Sequence, residues 1–355
     1  MYGNAYSFRP SPKMKNIIRN FKSPLLASLI FISVLFIQEF VLRFVLPDFN
    51  PNHHIRFNKA TDTSPALGVK NATFRLVKNS GDYSVTVRFN QHGFRDTKNI
   101  KEARIDDWIL VGDSFSMGWG VEQSHRVSEF LEKKISRKVY NISIPTDING
   151  YKALIKYAES RGAKIRNVIV AVNMQNDLAN YGVDAKTPPK INALTKQEEP
   201  NLLQLIKNYL IKNSCFYFSM TSIISQNKFL RKIALKTGLM VSLDQIPRRQ
   251  INNSTIRSTV KSLKSMTNRY KLIVLVVPAR AIWIGKNLEE EKKIHEMFLS
   301  ELKKQKIDFI DMRKYQEQNK KPMSYHFKND GHWTPKGHLL AASAISAKFF
   351  SNNRP

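Results

Sequence analysis

Apolar residues crowd into one long run near the start of the chain, then recur in short runs separated by amphipathic stretches. The first run is PLLASLIFISVLFIQEFVLRFVL, residues 24–46. Pro24 to Ile37 is unbroken, and Gln38, Glu39 and Arg43 interrupt the rest. As a helix, its 23 residues are long enough to cross roughly 30 Å of hydrocarbon. Glu39 and Arg43 stand four apart, a spacing at which a helix lets them pair, and near a helix end they reach the interface. Arg9, Lys13, Lys15, Arg19 and Lys22 precede the run with no acid among them. The positive-inside rule therefore predicts a cytoplasmic basic tail at 1–23, with the remainder on the far side, in a periplasm or its equivalent. No small-x-small cleavage pattern follows. The reading is an uncleaved, single-pass signal anchor at 24–46, ahead of a cleaved signal peptide and of a buried soluble helix.

Beyond the anchor, residues 47–70 are polar and rich in Pro, Asn and His, as in a spacer. YSVTVRFN alternates apolar and polar positions after an SGD turn, which predicts a small hairpin. Residues 47–98 thus form a linker and hairpin. The period then changes. DDWILVGD, KVYNISIP, NVIVAVNM, KLIVLVVP and IDFIDM are near-continuous apolar runs, separated by helical patterns such as RVSEFLEKKISRK and GYKALIKYAESRG. That alternation predicts a parallel sheet covered on both faces, an α/β fold of three layers over residues 99–355. Residues 183–265 break the rhythm: they are helical and basic, and read as an insertion between core elements. In such sheets ligands gather at the carboxyl ends of the strands. Gly112-Asp113-Ser114, Pro145-Thr146-Asp147, Asn176-Asp177, Pro278 and Asp311 all fall there.

Charge and cysteine content narrow the field. Fifty-seven Lys and Arg face 28 Asp and Glu, a net charge of +29. Such a field favours anionic partners, but the cations are spread along the chain and no nucleic-acid module is present. A specific nucleic-acid role is therefore not expected, and a charge-driven lipid or nucleic-acid tether stays as a third reading. The single cysteine excludes an internal disulfide framework, and Cys215, in SCFYFSM, suits a buried thiol. His92, His125 and His326 have no metal-ligand spacing, so neither metal nor cofactor is expected.

The chemistry points to Ser114. An apolar strand runs into ILVGDSFSMGWG, and a serine on that turn is a turn former or a nucleophile. A nucleophilic hydroxyl needs a base, usually a histidine held by a carboxylate. NDGHWTPKGH offers His332 and Asp330 just before the last predicted helix, where Asp330 also suits a helix cap. The second glycine of the α/β-hydrolase elbow is missing, and so is a phosphate-binding loop.

Together these stretches resemble the SGNH, or GDSL-type, hydrolase superfamily. ILVGDSFSMGWGV resembles its first block, NISIPTDINGY its second, NMQNDL its third and DGHWTPKGH its fifth. FNQHGFRD resembles the lead-in of membrane-anchored members. The resemblance covers about residues 88–350 and implies a flavodoxin-like sheet. It implies Ser114 as nucleophile, His332 as base and Asp330 as its orienter. It implies an oxyanion hole from the backbone N–H groups of Ser114 and Thr146 and the Asn176 amide. Two features depart from the family: Thr146 stands where the second block has glycine, and Asp-x-His replaces the common Asp-x-x-His. The shorter spacing resembles the alginate O-acetyltransferase branch. The implied function is a membrane-anchored serine esterase or O-acyltransferase acting on envelope esters such as O-acetylated glycans. The alternative is a non-catalytic glycan-binding or envelope-assembly protein on the same fold.

Overall fold

The structure, a computed structural model, describes residues 12–61, 64–178, 202–242 and 251–350. The start of the basic tail and residues 183–201 and 243–250 of the expected insertion lie outside the described residues. The chain opens with helix α1 (Pro12–Val45). Its stretch Pro24–Val45 is long and apolar enough to cross a membrane and is not buried against the rest of the protein. Two short pairings follow: β1 (Phe57–Asn58) with β2 (Leu67–Gly68), and hairpin β3 (Thr73–Val77) with β4 (Ser84–Arg88).

The α/β part begins with β5 (Trp108–Val111), α2 (Ser114–Met117), α3 (Val127–Ile135), β6 (Val139–Asn141), α4 (Ile148–Ser160) and β7 (Asn167–Asn173). Then come α5 (Leu202–Asn213), α6 (Cys215–Gln226) and α7 (Lys228–Lys236). The chain finishes with α8 (Asn253–Met266), β8 (Lys271–Val277), α9 (Leu288–Lys304), β9 (Asp308–Asp311), α10 (Met312–Glu317) and α11 (Pro335–Phe349). Five strands form one sheet in the order β6-β5-β7-β8-β9, each pair parallel. The strand order reverses between β5 and β7, and in open α/β sheets ligands bind at such a switch point.

The apolar strand sequences follow from burial on both faces. In β7, Val168, Val170 and Val172 face one core, while Ile169 and Ala171 face the other. The first core is closed by α4, α8 and α9 through Tyr151, Leu154, Val260, Leu263 and Phe298. The second is closed by α3 and α11, where Ala341, Ala342 and Ala344 bring the last helix close to the sheet. Helix α8 is thus a covering helix of the sheet, although residues 183–265 read as an insertion. Ile256, Val260 and Leu263 form its buried stripe, and Arg257, Lys261 and Lys264 on its other sides mask that stripe in the sequence.

The hairpin also joins the first core, through Leu76, Tyr83, Val85 and Val87. Arg95, 1% exposed, stitches it to the loop after α2. Its guanidinium donates to the carbonyls of Thr86, Gly118 and Val121. Burial, and then the like charge of Arg126, pull its pKa down to about 9. Replacing it by Arg95→Met keeps the stem but strands those carbonyls, so we expect a loss of about 3 kcal/mol. Urea unfolding checks this, and an unchanged midpoint would mean the clamp carries no weight.

Candidate active site

Ser114 stands on the turn that leaves β5. Asp113 caps α2, its Oδ1 accepting from the Phe115 N–H at 2.9 Å. The helix lasts one turn because Gly118 ends it at φ 85°, a left-handed conformation that disfavours a side chain. A Cβ there would also lie 2.5 Å from the Arg126 stem. The turn is therefore tight, and Ser114 sits at the carboxyl edge of the sheet.

The loop before α11 meets it there. Ser114 Oγ lies 2.8 Å from His332 Nε2. The other ring nitrogen, Nδ1, bonds Asp330 Oδ1, and the same oxygen accepts the His332 backbone N–H at 3.0 Å. The short Asp-x-His spacing is thereby accommodated, since one carboxylate oxygen serves both the backbone and the ring of the histidine. Trp119 stacks on the His332 ring at 5.7 Å between centroids, and Phe115 packs on it at 5.0 Å.

The hairpin supplies further partners for Asp330. Lys78 Nζ lies 2.9 Å from Asp330 Oδ2, and the Tyr83 hydroxyl donates to that oxygen at 3.1 Å. Trp119 Nε1 in turn donates to the Tyr83 hydroxyl at 2.9 Å. Burial alone would push the Asp330 carboxyl up. The bond to His332, the charge of His332 and the Lys78 ammonium outweigh it and hold Asp330 well below the usual carboxylate range. Lys78, Tyr83 and Trp119 were missed by sequence reasoning. Trp119, caught between two glycines in SMGWG, carried a faint signal; Lys78 and Tyr83 carried none.

The expected oxyanion donors gather at the same edge. The Ile144 N–H donates to the Gly112 carbonyl at 3.2 Å, so the chain leaving β6 runs beside the chain leaving β5. Two residues further along each lie Thr146 and Ser114. Among the described residues neither of their backbone N–H groups donates a hydrogen bond. The Thr146 side chain packs over Gly150, where a Cβ would come within 2.0 Å of its Oγ1. Gly150 itself donates to the Asp147 carboxylate, which caps α4. The Asn176 amide reaches Asp113 Oδ2 only at 3.5 Å and is exposed, whereas buried Asn173 donates to that oxygen at 2.8 Å. Asn173 therefore anchors the turn, and Asn176 keeps most of its donor capacity open.

Behind the turn lies a buried acid pair. Asp177 accepts from the Tyr151 hydroxyl at 3.0 Å and from the Asn173 N–H at 2.7 Å. Burial, then the neighbouring Asp113, pushes Asp177 well above the usual range, and burial pushes Asp113 up as well. His338 is fully buried against Trp333, and burial brings its pKa down to about 3. Among the described residues no group of three His, Cys, Asp or Glu side chains is placed to hold a metal ion.

Residues 242–353 match the family model described as the SGNH hydrolase-like domain of the acetyltransferase AlgX. No curated protein matches the chain by sequence. Solved structures with some likeness include a lipase/acylhydrolase from Enterococcus faecalis, at 13% identity and TM-score 0.40, covering 70% of this chain and 98% of the other. A G-D-S-L family lipolytic protein from Desulfitobacterium hafniense gives 13% identity and TM-score 0.37, covering 68% and 98%. An acetylxylan esterase from Geobacillus stearothermophilus gives 12% and 0.36, covering 70% and 95%. Over residues 242–353 the chain is thus similar to the SGNH hydrolase-like domain of the acetyltransferase AlgX.

Proposed function

We propose that the protein is a membrane-anchored serine esterase or O-acyltransferase that works through an acyl-serine on envelope esters, O-acetylated glycans in particular. The observation that carries this reading is the 2.8 Å contact of Ser114 Oγ with His332 Nε2, the opposite ring nitrogen being held by Asp330. Ser114 Oγ attacks the ester carbonyl while His332 Nε2 takes the hydroxyl proton. Charge on the tetrahedral oxygen meets the open N–H groups of Ser114 and Thr146 and the Asn176 amide, neutral donors suited to an oxyanion. The intermediate collapses, and the departing alkoxide takes the proton from His332. Water, or an acceptor hydroxyl, then gives its proton to His332 and attacks the acyl-serine. The carboxylic acid or the new ester leaves, and Ser114 regains its proton. AlgX is described as an acetyltransferase, which favours acetyl as the group carried.

Anchoring rests on Pro24–Val45 and on the basic residues ahead of it. By the positive-inside rule the N-terminus stays in the cytoplasm and the α/β domain lies outside.

A fluorophosphonate probe tests the reading. It should label the parent and lose its adduct in Ser114→Ala. An unlabelled parent would favour a binding or assembly role on the same fold. Turnover of p-nitrophenyl acetate should also fall as the medium is acidified, since a protonated His332 cannot accept the Ser114 proton. Turnover that does not fall on acidification would remove histidine as the base.

A further inference from the structure

We propose that the module α5–α7 lies in the headgroup layer of the membrane that α1 crosses, with anionic phospholipid as its partner. The inference rests on the reading of α1 as a membrane span.

The first observation is a bond between the two parts. Glu39 of α1 accepts from the Ser214 hydroxyl and from the Cys215 and Phe216 N–H groups, at 2.8–2.9 Å. It therefore caps α6. Arg43, paired with Glu39 at 2.8 Å, donates to the Asn213 carbonyl at the end of α5. Glu39 stands six residues before Val45, where the apolar stretch ends. At 1.5 Å per residue that is about 9 Å back along the axis. The α5–α6 junction is thus tied to the span at a depth where interfacial helices sit, about 5–10 Å into the headgroup boundary.

The second observation is what the module shows to its surroundings. On α5, Leu202, Leu205 and Tyr209 are 71%, 51% and 67% exposed. On and just after α7, Phe229 and Leu239 are 70% and 74% exposed. Helices that packed only against their own domain would hide such side chains. The third observation is charge. From Asn201 to Leu243 there is no acid, while Lys207, Lys212, Lys228, Arg231, Lys232 and Lys236 are all cations. Exposed apolar side chains among cations suit a surface of acyl chains beneath anionic headgroups.

The arrangement also sets where the reaction occurs. Helix α6, 12 residues and about 18 Å long, rises from Glu39 to the hairpin, where Gln226 donates to the Asn79 carbonyl. That hairpin carries Lys78 and Tyr83, the partners of Asp330. The module is a pedestal that keeps the Ser114 edge within reach of groups presented at the membrane face.

The test uses the full chain, in a Cys215→Ser background, reconstituted in vesicles of phosphatidylcholine and phosphatidylglycerol. Spin labels are attached through Leu205→Cys, Phe229→Cys, Phe36→Cys and Leu339→Cys; Leu339 is exposed on α11, in the α/β part. Accessibility to oxygen relative to a water-soluble nickel chelate should be several-fold higher at 205 and 229 than at 339, and should drop in vesicles of phosphatidylcholine alone. Labels at 205 and 229 as open to nickel as 339, with 36 shielded, would overturn the pedestal and leave the span standing. A label at 36 that is also open to nickel would overturn both. Spin–spin broadening at 205 or 229 would assign the face to a second copy of the chain and overturn the lipid assignment.

Discussion

Ser114→Ala is expected to reduce ester turnover on the order of a millionfold, the size of effect seen when the nucleophile of a serine–histidine unit is removed. In the proposed mechanism the Ser114 Oγ is the atom that becomes bonded to the acyl group. Among the residues around His332 Nε2, Phe115 and Trp119 are aromatic and carry no nucleophile. Residual activity would come from binding and from the donors at Ser114, Thr146 and Asn176 acting on a water. His332→Ala should cost about as much, and the double variant little more than either, because the two side chains share one proton and act as one device. Hydrolysis of p-nitrophenyl acetate by the purified full chain checks this, with fluorophosphonate labelling as a second readout. A Ser114→Ala variant as fast as the parent would sink the nucleophile assignment.

The parts of this site that the sequence made legible are those carried by short, contiguous chemistry. The strand into Gly112-Asp113-Ser114 reads as buried because both of its faces are buried. The Asp330–His332 couple reads as a pair because the two are neighbours in the chain and stand next to a helix start. What could not be read is whatever depends on contacts between remote segments. Tyr83 and Asp330 are 247 positions apart, and nothing about a tyrosine beside an SGD turn says that it faces a carboxylate. Asn176 is the asparagine that the resemblance of NMQNDL to the third block implies, as it adjoins Asp177. Asn173, at the strand end, holds Asp113 more closely. Helix α8 was hidden for a different reason: cations on its outer sides outweigh a narrow buried stripe when composition is averaged over a long segment. The exposed apolar side chains of α5 and α7 were hidden too, since an apolar residue in sequence is ordinarily assigned to a core.

These remote contacts alter how the device works. Asp330 is held from two sides: the histidine bonds Oδ1, while Lys78 and Tyr83 bond Oδ2. The hairpin that supplies Lys78 and Tyr83 is itself clamped by Arg95 to the loop that carries Trp119. The Ser114 turn, His332 and Asp330, the proposed nucleophile, base and orienter, are thus tied into one edge by contacts that oppose separation of Oγ from Nε2. Support of this kind determines whether a short hydrogen-bonded constellation stays aligned.

Asp330→Asn is the sharpest probe of that arrangement, and we expect a loss of turnover of about 10⁴-fold, the size seen in a triad whose aspartate becomes asparagine. The side chain keeps its shape, and its oxygen takes the Oδ2 place facing the Lys78 and Tyr83 donors, so the His332 backbone N–H loses its acceptor. Its amide nitrogen, turned toward Nδ1, instead donates. That fixes the ring proton on Nε2, facing Ser114 Oγ, where a lone pair is needed. Lys78 also loses its counter-charge and stands near the developing imidazolium. Tyr83→Phe removes two hydrogen bonds, the one to Asp330 and the one from Trp119, and leaves the charge in place, so it should cost about tenfold. Stability gives an independent check with a definite sign. The Asp330 carboxyl is held well below its unfolded value, near 3.9. It therefore stabilises the fold above that value, and the contribution is lost as pH falls through the folded pKa. The melting-temperature gap between parent and Asp330→Asn should be widest near neutrality and shrink below about pH 4. A gap independent of pH would mean that the carboxylate is not held by His332 and Lys78, and a variant with parental turnover would mean that the His332 tautomer is set by something other than Asp330.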